Sequence, residues 1–186
     1  MTRKVASLVR SLKGDQGGSI AVEFALVAPV LLFIFAGVID IGSAAYARLS
    51  LDARLTAAAE YALFQPAPAN QEAADALAEN LVGLLRDGAS DTAEVIVNNA
   101  ASAQWDGATV TTASRPGDAG MCYCPTLAQG GLAWGAPVEC GTTCATGESA
   151  GKFVEISATA RLVTLFRGYA FIDGETVESR TVLRVQ

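Results

Sequence analysis

Between positions 19 and 39 almost every residue is apolar, and no charge falls from position 24 to position 39. A helix over these 21 residues is about 31 Å long at ~1.5 Å per residue. That length matches the ~30 Å hydrocarbon core of a bilayer. Asp40 then marks an interface with water. Ala21, Ala25 and Ala28 recur at three- and four-residue spacing, which lets helices approach closely in a membrane or a bundle. The helical pattern continues past the apolar run. Leu51, Leu55, Ala59 and Ala62 form a stripe, with Asp52, Arg54 and Glu60 off it. Gln65-Pro66-Ala67-Pro68 ends the helix, because proline removes a donor and restricts the residue before it. A second helix is predicted from Asn70 as N-cap, with Ala74, Leu77, Leu81 and Leu84 as its apolar face and Gly88 as its stop.

Beyond residue 88 the period changes from helical to two. Residues 93–98 and 108–113 read as short strands around a turn near Asp106-Gly107. Residues 114–151 are rich in Gly, Pro and Cys and show little periodicity. Val154, Ile156, Ala158, Ala160, Leu162, Thr164 and Phe166 then alternate with Glu155, Ser157, Thr159 and Arg161, as in a half-buried strand. Val177, Ser179, Thr181, Leu183 and Val185 predict a final one. The expected fold class is α+β: a long N-terminal transmembrane or pilin-type helix, a second short helix and a small antiparallel β-sheet. Three regions follow: a basic leader over 1–18, a membrane or assembly helix over 19–64, and an α+β domain over 69–186 that holds the cysteine-rich loop 114–151.

Charge divides along the chain. Residues 1–18 carry Arg3, Lys4, Arg10 and Lys13 against Asp15, a net +3, whereas the remainder carries −9 of the total −6. An acidic domain lacks the basic footprint that nucleic-acid binding needs, so nucleic acid is not an expected partner. The basic leader fits the positive-inside rule, which keeps the N-terminus cytoplasmic and sends the acidic part outward.

The chain has no histidine. That rules out Ser-His-Asp and Cys-His sites and removes the commonest zinc ligand. Cys122, Cys124, Cys140 and Cys144 all lie within 23 residues. An even count in an exported region reads as disulfides. The Cys-x-Cys and Cys-x3-Cys spacings differ from the usual Cys-x2-Cys zinc pairing, and no neighbouring group would lower a thiol pKa for redox work. A Cys122–Cys124 bridge would be strained, so each is expected to pair with Cys140 or Cys144, in either combination. Trp105, Tyr123 and Trp134 flank or lie in this loop and read as packing for a small core. Asp173 and Glu175 beside Gly174 read as a turn. No catalytic residue, metal site or cofactor is expected.

The most informative stretch runs Gly17-Gly18-Ser19-Ile20-Ala21-Val22-Glu23-Phe24-Ala25-Leu26-Val27-Ala28-Pro29. A basic leader ends in glycine, an apolar helix begins, and a single carboxylate stands five residues after that glycine. A charge beside a membrane helix is costly and rarely incidental. Cleavage after Gly18 would create an amine on Ser19, one helical turn from Glu23, and a carboxylate in a first turn is favoured by the helix dipole.

This junction resembles the prepilin-peptidase site of type IV pilins and pseudopilins. The wording of residues 21–32, Ala-Val-Glu-Phe-Ala-Leu-Val-Ala-Pro-Val-Leu-Leu, is similar to the TadE-like minor pilins of tight-adherence (Flp) pili. The resemblance is strong over about residues 14–48 and architectural elsewhere, the cysteine loop and the strand ending at Gln186 included. It implies processing at Gly18, Ser19, Glu23 and Phe24, and a Glu23 that pairs with its own amine or a neighbouring subunit's. Phe24 stands where pilins often have tyrosine, a position that pseudopilins relax. The partners implied are a prepilin peptidase, other minor or major pilins, the pilus assembly machinery and the inner membrane. The domain exceeds that of the very short major Flp pilin, which implies a minor or accessory, non-enzymatic role in an adhesive pilus. A competing expectation uses Ala45-Tyr46-Ala47 as a signal-peptidase site that releases a soluble domain from Arg48. A signal-anchored periplasmic domain unrelated to pili is a further alternative.

Overall fold

The computed structural model describes residues 17–86, 90–128, 130–162 and 176–185. Residues 1–16 of the leader, the Gly88 stop, the strand expectation beyond residue 162 and the Asp173–Glu175 turn lie outside the described residues. The chain divides into two units, with the boundary between Gly42 and Ser43. Helix α1, Gly17–Phe64, is continuous through that boundary.

In the first unit α1 exposes nearly all of its apolar side chains. Phe24 is 69% exposed and Leu32 68%. Pro29 lies inside the helix, a position tolerated in apolar helices where neighbours re-satisfy the freed carbonyl. The helix is long and apolar enough to cross a membrane.

The second unit holds the core. There α1 buries Leu51, Leu55, Ala58 and Ala62, one face at three- and four-residue spacing. The helix ends at the Pro66-Ala67-Pro68 link. Asn70 caps helix α2, Gln71–Arg86, by accepting the Ala73 N–H through Oδ1 at 2.9 Å. Glu72 in its first turn and Arg86 in its last suit the helix dipole. Its buried face is Ala74, Leu77, Ala78, Leu81, Val82 and Leu85. Leu84, expected on that face, is 49% exposed. The stripe follows the 3.6-residue period onto Leu85, and Leu84 falls one position off it.

Five strands make the main sheet: β1 (Thr92–Val97), β2 (Ala101–Trp105), β3 (Val110–Ser114), β6 (Lys152–Arg161) and β7 (Thr176–Val185). All pairings are antiparallel, in the order β3-β2-β1-β6-β7. β4 (Thr126–Ala128) and β5 (Gly131–Ala133) make a separate hairpin. Helix α2 packs on β1, β2 and β3. Ala93, Val95, Val97, Ala103, Val154, Ile156 and Ala158 join the helical stripes in one core.

The structure corrects the expected pairing of 93–98 with 108–113. β2 stands between them, and the Asp106-Gly107 turn joins β2 to β3, while β1 reaches β2 through Asn98 and Asn99. Both asparagines adopt left-handed φ, 48° and 52°, a region that Asn tolerates better than most residues. The pattern hid β2 because its inward residues are Ala101, Ala103 and Trp105, only one of them large. β6 carries the strand expected from residue 154 and is described to Arg161; β7 carries the final one.

Candidate functional site

Two regions carry the residues singled out by sequence. The first is the start of α1. Gly18 and Ser19 both lie within α1, which is described from Gly17 onward. No acidic residue falls in the first turn of that described span. A chain beginning at Ser19 would bring Glu23 to within one turn of the terminus, where the dipole favours it. Glu23 and Phe24 are both exposed. Ser19 and Glu23 are four positions apart, hence on one helix face. The structure leaves the roles assigned to these four residues as expectations.

The second region is the loop between β3 and β6. Cys122 bonds Cys140 and Cys124 bonds Cys144, with Cα separations of 4.9 and 5.6 Å, and none of the four thiols is free. Each of the first pair thus meets one of the second, and the structure defines the order. Tyr123, between the two bridges, is fully buried. Its backbone exchanges hydrogen bonds with Gly151, N to O at 2.8 Å and O from N at 3.1 Å. Its hydroxyl accepts the Asp118 N–H at 2.7 Å. Tyr123 meets Trp134 edge to face with ring centroids 5.8 Å apart, a favoured aromatic geometry. Trp105 is partly buried against the sheet core. The three aromatics therefore act as packing.

Asn98 ties the loop to the sheet. It is fully buried, and its Nδ2 donates to the carbonyls of Asp118, Ala119 and Met121 at 3.2, 3.3 and 2.8 Å. Its own N–H donates to the Phe153 carbonyl at 2.7 Å. One asparagine in a left-handed turn thereby fixes where the loop leaves the sheet.

Glu155 alternates with the core residues of its strand and so reads in sequence as a solvent-side position. In the structure it is only 5% exposed. Arg180 Nη1 donates to its Oε1 at 3.0 Å, and the Leu132 N–H donates to Oε2 at 3.2 Å. Gly131, at φ +139°, lets the β4–β5 hairpin close over this pair, since a Cβ there would lie 2.5 Å from Glu155 Oε1. The signal that would have found the pair is the register of β6 with β7, in which Ser157 faces Arg180 and Glu155 is two residues away.

Electrostatics elsewhere are structural. Asp106 is held below the ordinary carboxylate range chiefly by the Thr109 N–H, then by the Ala108 N–H, as the turn between β2 and β3 closes. Burial lowers the Lys152 pKa, opposed by the charge of Asp118. The Lys152 ammonium donates to the Pro68 carbonyl and pins the interhelical link to β6. Among the described residues no group of three His, Cys, Asp or Glu side chains is placed to hold a metal.

The architecture defines a class: one apolar N-terminal helix long enough to span a bilayer, carried into an α+β domain with a disulfide-bonded loop. Within it, residues 18–62 match the model of the family described as TadE-like protein. The match covers the helix from the Gly18–Ser19 junction to the buried Ala62 and stops before α2. The chain matches no curated protein and no solved structure.

Proposed function

We propose that this chain is a minor pilin or pseudopilin of a tight-adherence, Flp-type pilus, acting by assembly and not by catalysis. The observation that carries the reading is the TadE-like match over a helix whose apolar side chains are exposed. In the second unit the same helix buries Leu51 and Leu55 on one face while Tyr46 and Leu49 stay 75% and 69% exposed. A helix with a core on one side and apolar surface on the other has a face left for a partner helix.

In this account a prepilin peptidase removes residues 1–18, and the helix resides in the inner membrane with its N-terminus cytoplasmic and the α+β domain periplasmic. The new Ser19 amine meets Glu23 of its own chain or of a neighbouring pilin as subunits enter the filament. Glu23→Gln tests this role. It leaves the core and both disulfides untouched, because Glu23 lies far along the chain from them. Removing its charge strands an amine in apolar surroundings, at a cost of several kcal/mol per uncompensated charge. In a deletion strain complemented with Glu23→Gln, surface pili are expected to fall while the membrane-bound protein persists at normal level. Normal piliation with a stable, processed variant contradicts the role.

A further inference from the structure

Strand β3 is one edge of the sheet, with no strand on its outer side among the described residues. The Arg115 N–H donates to the Ala100 carbonyl at 2.7 Å, and the Asp106 N–H to the Thr109 carbonyl at 3.3 Å. Bonded pairs alternate along an antiparallel ladder, so in the β2–β3 register Thr111 and Ala113 turn their backbone groups inward. Val110, Thr112 and Ser114 therefore point their N–H and C=O groups away from β2. Residues 111–114 are all exposed. Free edges are normally guarded by charges, prolines or bulges. β7, the opposite edge, carries Glu178, Arg180 and Arg184. β3 reads Val-Thr-Thr-Ala-Ser, with neither charge nor proline.

Such an edge accepts an extended strand through main-chain hydrogen bonds. Two features decide which strand. The first is direction. Ser179 of β7 donates to Asp52 of α1, and Lys152 at the start of β6 donates to the Pro68 carbonyl just beyond α1. α1 thus runs along the strands. A second copy paired antiparallel through β3 would be related by a two-fold axis, which sends its apolar helix the opposite way. Copies inserted alike in one membrane cannot meet so, and the strand must come from a different chain. The second feature is charge. Arg115 follows β3 directly, donates its Nε to Asn99 Oδ1 at 3.3 Å, and makes no ion pair among the described residues. In an antiparallel partner the residue opposite Arg115 lies just before the paired run. Opposite charges favour that cross-strand position, and Thr or Val suits the places beside Thr111 and Thr112.

We propose that the β3 edge binds an extended, β-branched segment of another polypeptide, paired antiparallel, uncharged along β3 and with an acidic residue opposite Arg115. The site rests on the membrane-spanning helix but not on the assembly reading. The test is an amide NMR titration of the full chain in a phosphocholine detergent at low salt. The probe is acetyl-Asp-Thr-Val-Thr-Val-Thr-amide, N-methylated on both valines so that only its threonine edge can pair, at up to ~5 mM to saturate a ~0.5 mM site. Saturable shifts and slowed exchange are expected at the Val110, Thr112 and Ser114 amides. The same peptide methylated on its threonines instead should not bind. Replacing its Asp by Lys should weaken binding about 2- to 5-fold, and Arg115→Gln should remove that difference. Thr112→Pro is compatible with the fold, because the N–H it loses points away from β2, and it should weaken binding at least ~10-fold. Circular dichroism checks its fold; if it misfolds, the two methylated peptides on the wild-type chain decide. The proposal is overturned by the absence of saturable shifts along β3, by equal binding of both methylated peptides, or by unchanged affinity in folded Thr112→Pro. Shifts along β3 that follow protein concentration without peptide, the mark of self-pairing, overturn it as well.

Discussion

Replacing Arg180 with alanine probes the buried charge on which the hairpin rests. The Glu155 side chain is 6% exposed, and it keeps only the Leu132 N–H at 3.2 Å once the guanidinium is gone. Removing one partner of a fully buried pair costs about 3–5 kcal/mol. Arg180 is 30% exposed and also bridges the more exposed Glu178, so water screens part of the interaction, and we expect about 2–3 kcal/mol. A double-mutant cycle separates the pair from the lost packing of the arginine stem. In a Glu155→Gln background no charge is stranded, so Arg180→Ala should cost less than ~1 kcal/mol, giving a coupling of about 1–2 kcal/mol. The assay is urea unfolding followed by tryptophan fluorescence with disulfides intact, which reports on Trp105 beside the core and on the buried Trp134. A coupling near zero, or an Arg180→Ala cost at the ~0.5 kcal/mol of an ordinary surface change, refutes the reasoning.

Other changes sort the helices and the loop by what each side chain touches. Leu55→Ala empties a position that is 2% exposed and should destabilise by about 2–5 kcal/mol, whereas Leu84→Ala on the open face of α2 should stay within ~0.5 kcal/mol; the same urea titration measures both. Alkylation without reduction should leave the intact mass unchanged, because all four cysteines are paired. Replacing Cys124 and Cys144 together by alanine should cost about 2–4 kcal/mol, and labelling of wild-type cysteines would contradict the paired state.

Where a single physical preference acts along a contiguous stretch, the sequence is readable. The apolar run into α1, the proline stop after it and the Asn70 cap depend on neighbours in the chain. So does the alternation in β6 and β7. The exclusion of sequential Cys122–Cys124 bridging follows from local geometry as well. What escapes depends on distant partners. β2 has small inward residues, and it is a strand because β1 and β3 flank it. Glu155 looks like a surface residue until the hairpin folds over it. The motif at the start of α1 is legible in the chain itself, because it is a linear signal of glycine, apolar helix and one carboxylate.

The central claim is that the chain is processed as a pilin, and the mature N-terminus tests it most directly. Protein purified from native membranes and measured by intact mass and N-terminal sequencing should begin at Ser19 and contain both disulfides. A mature chain that retains residues 1–18, or one that begins at Arg48, contradicts the account.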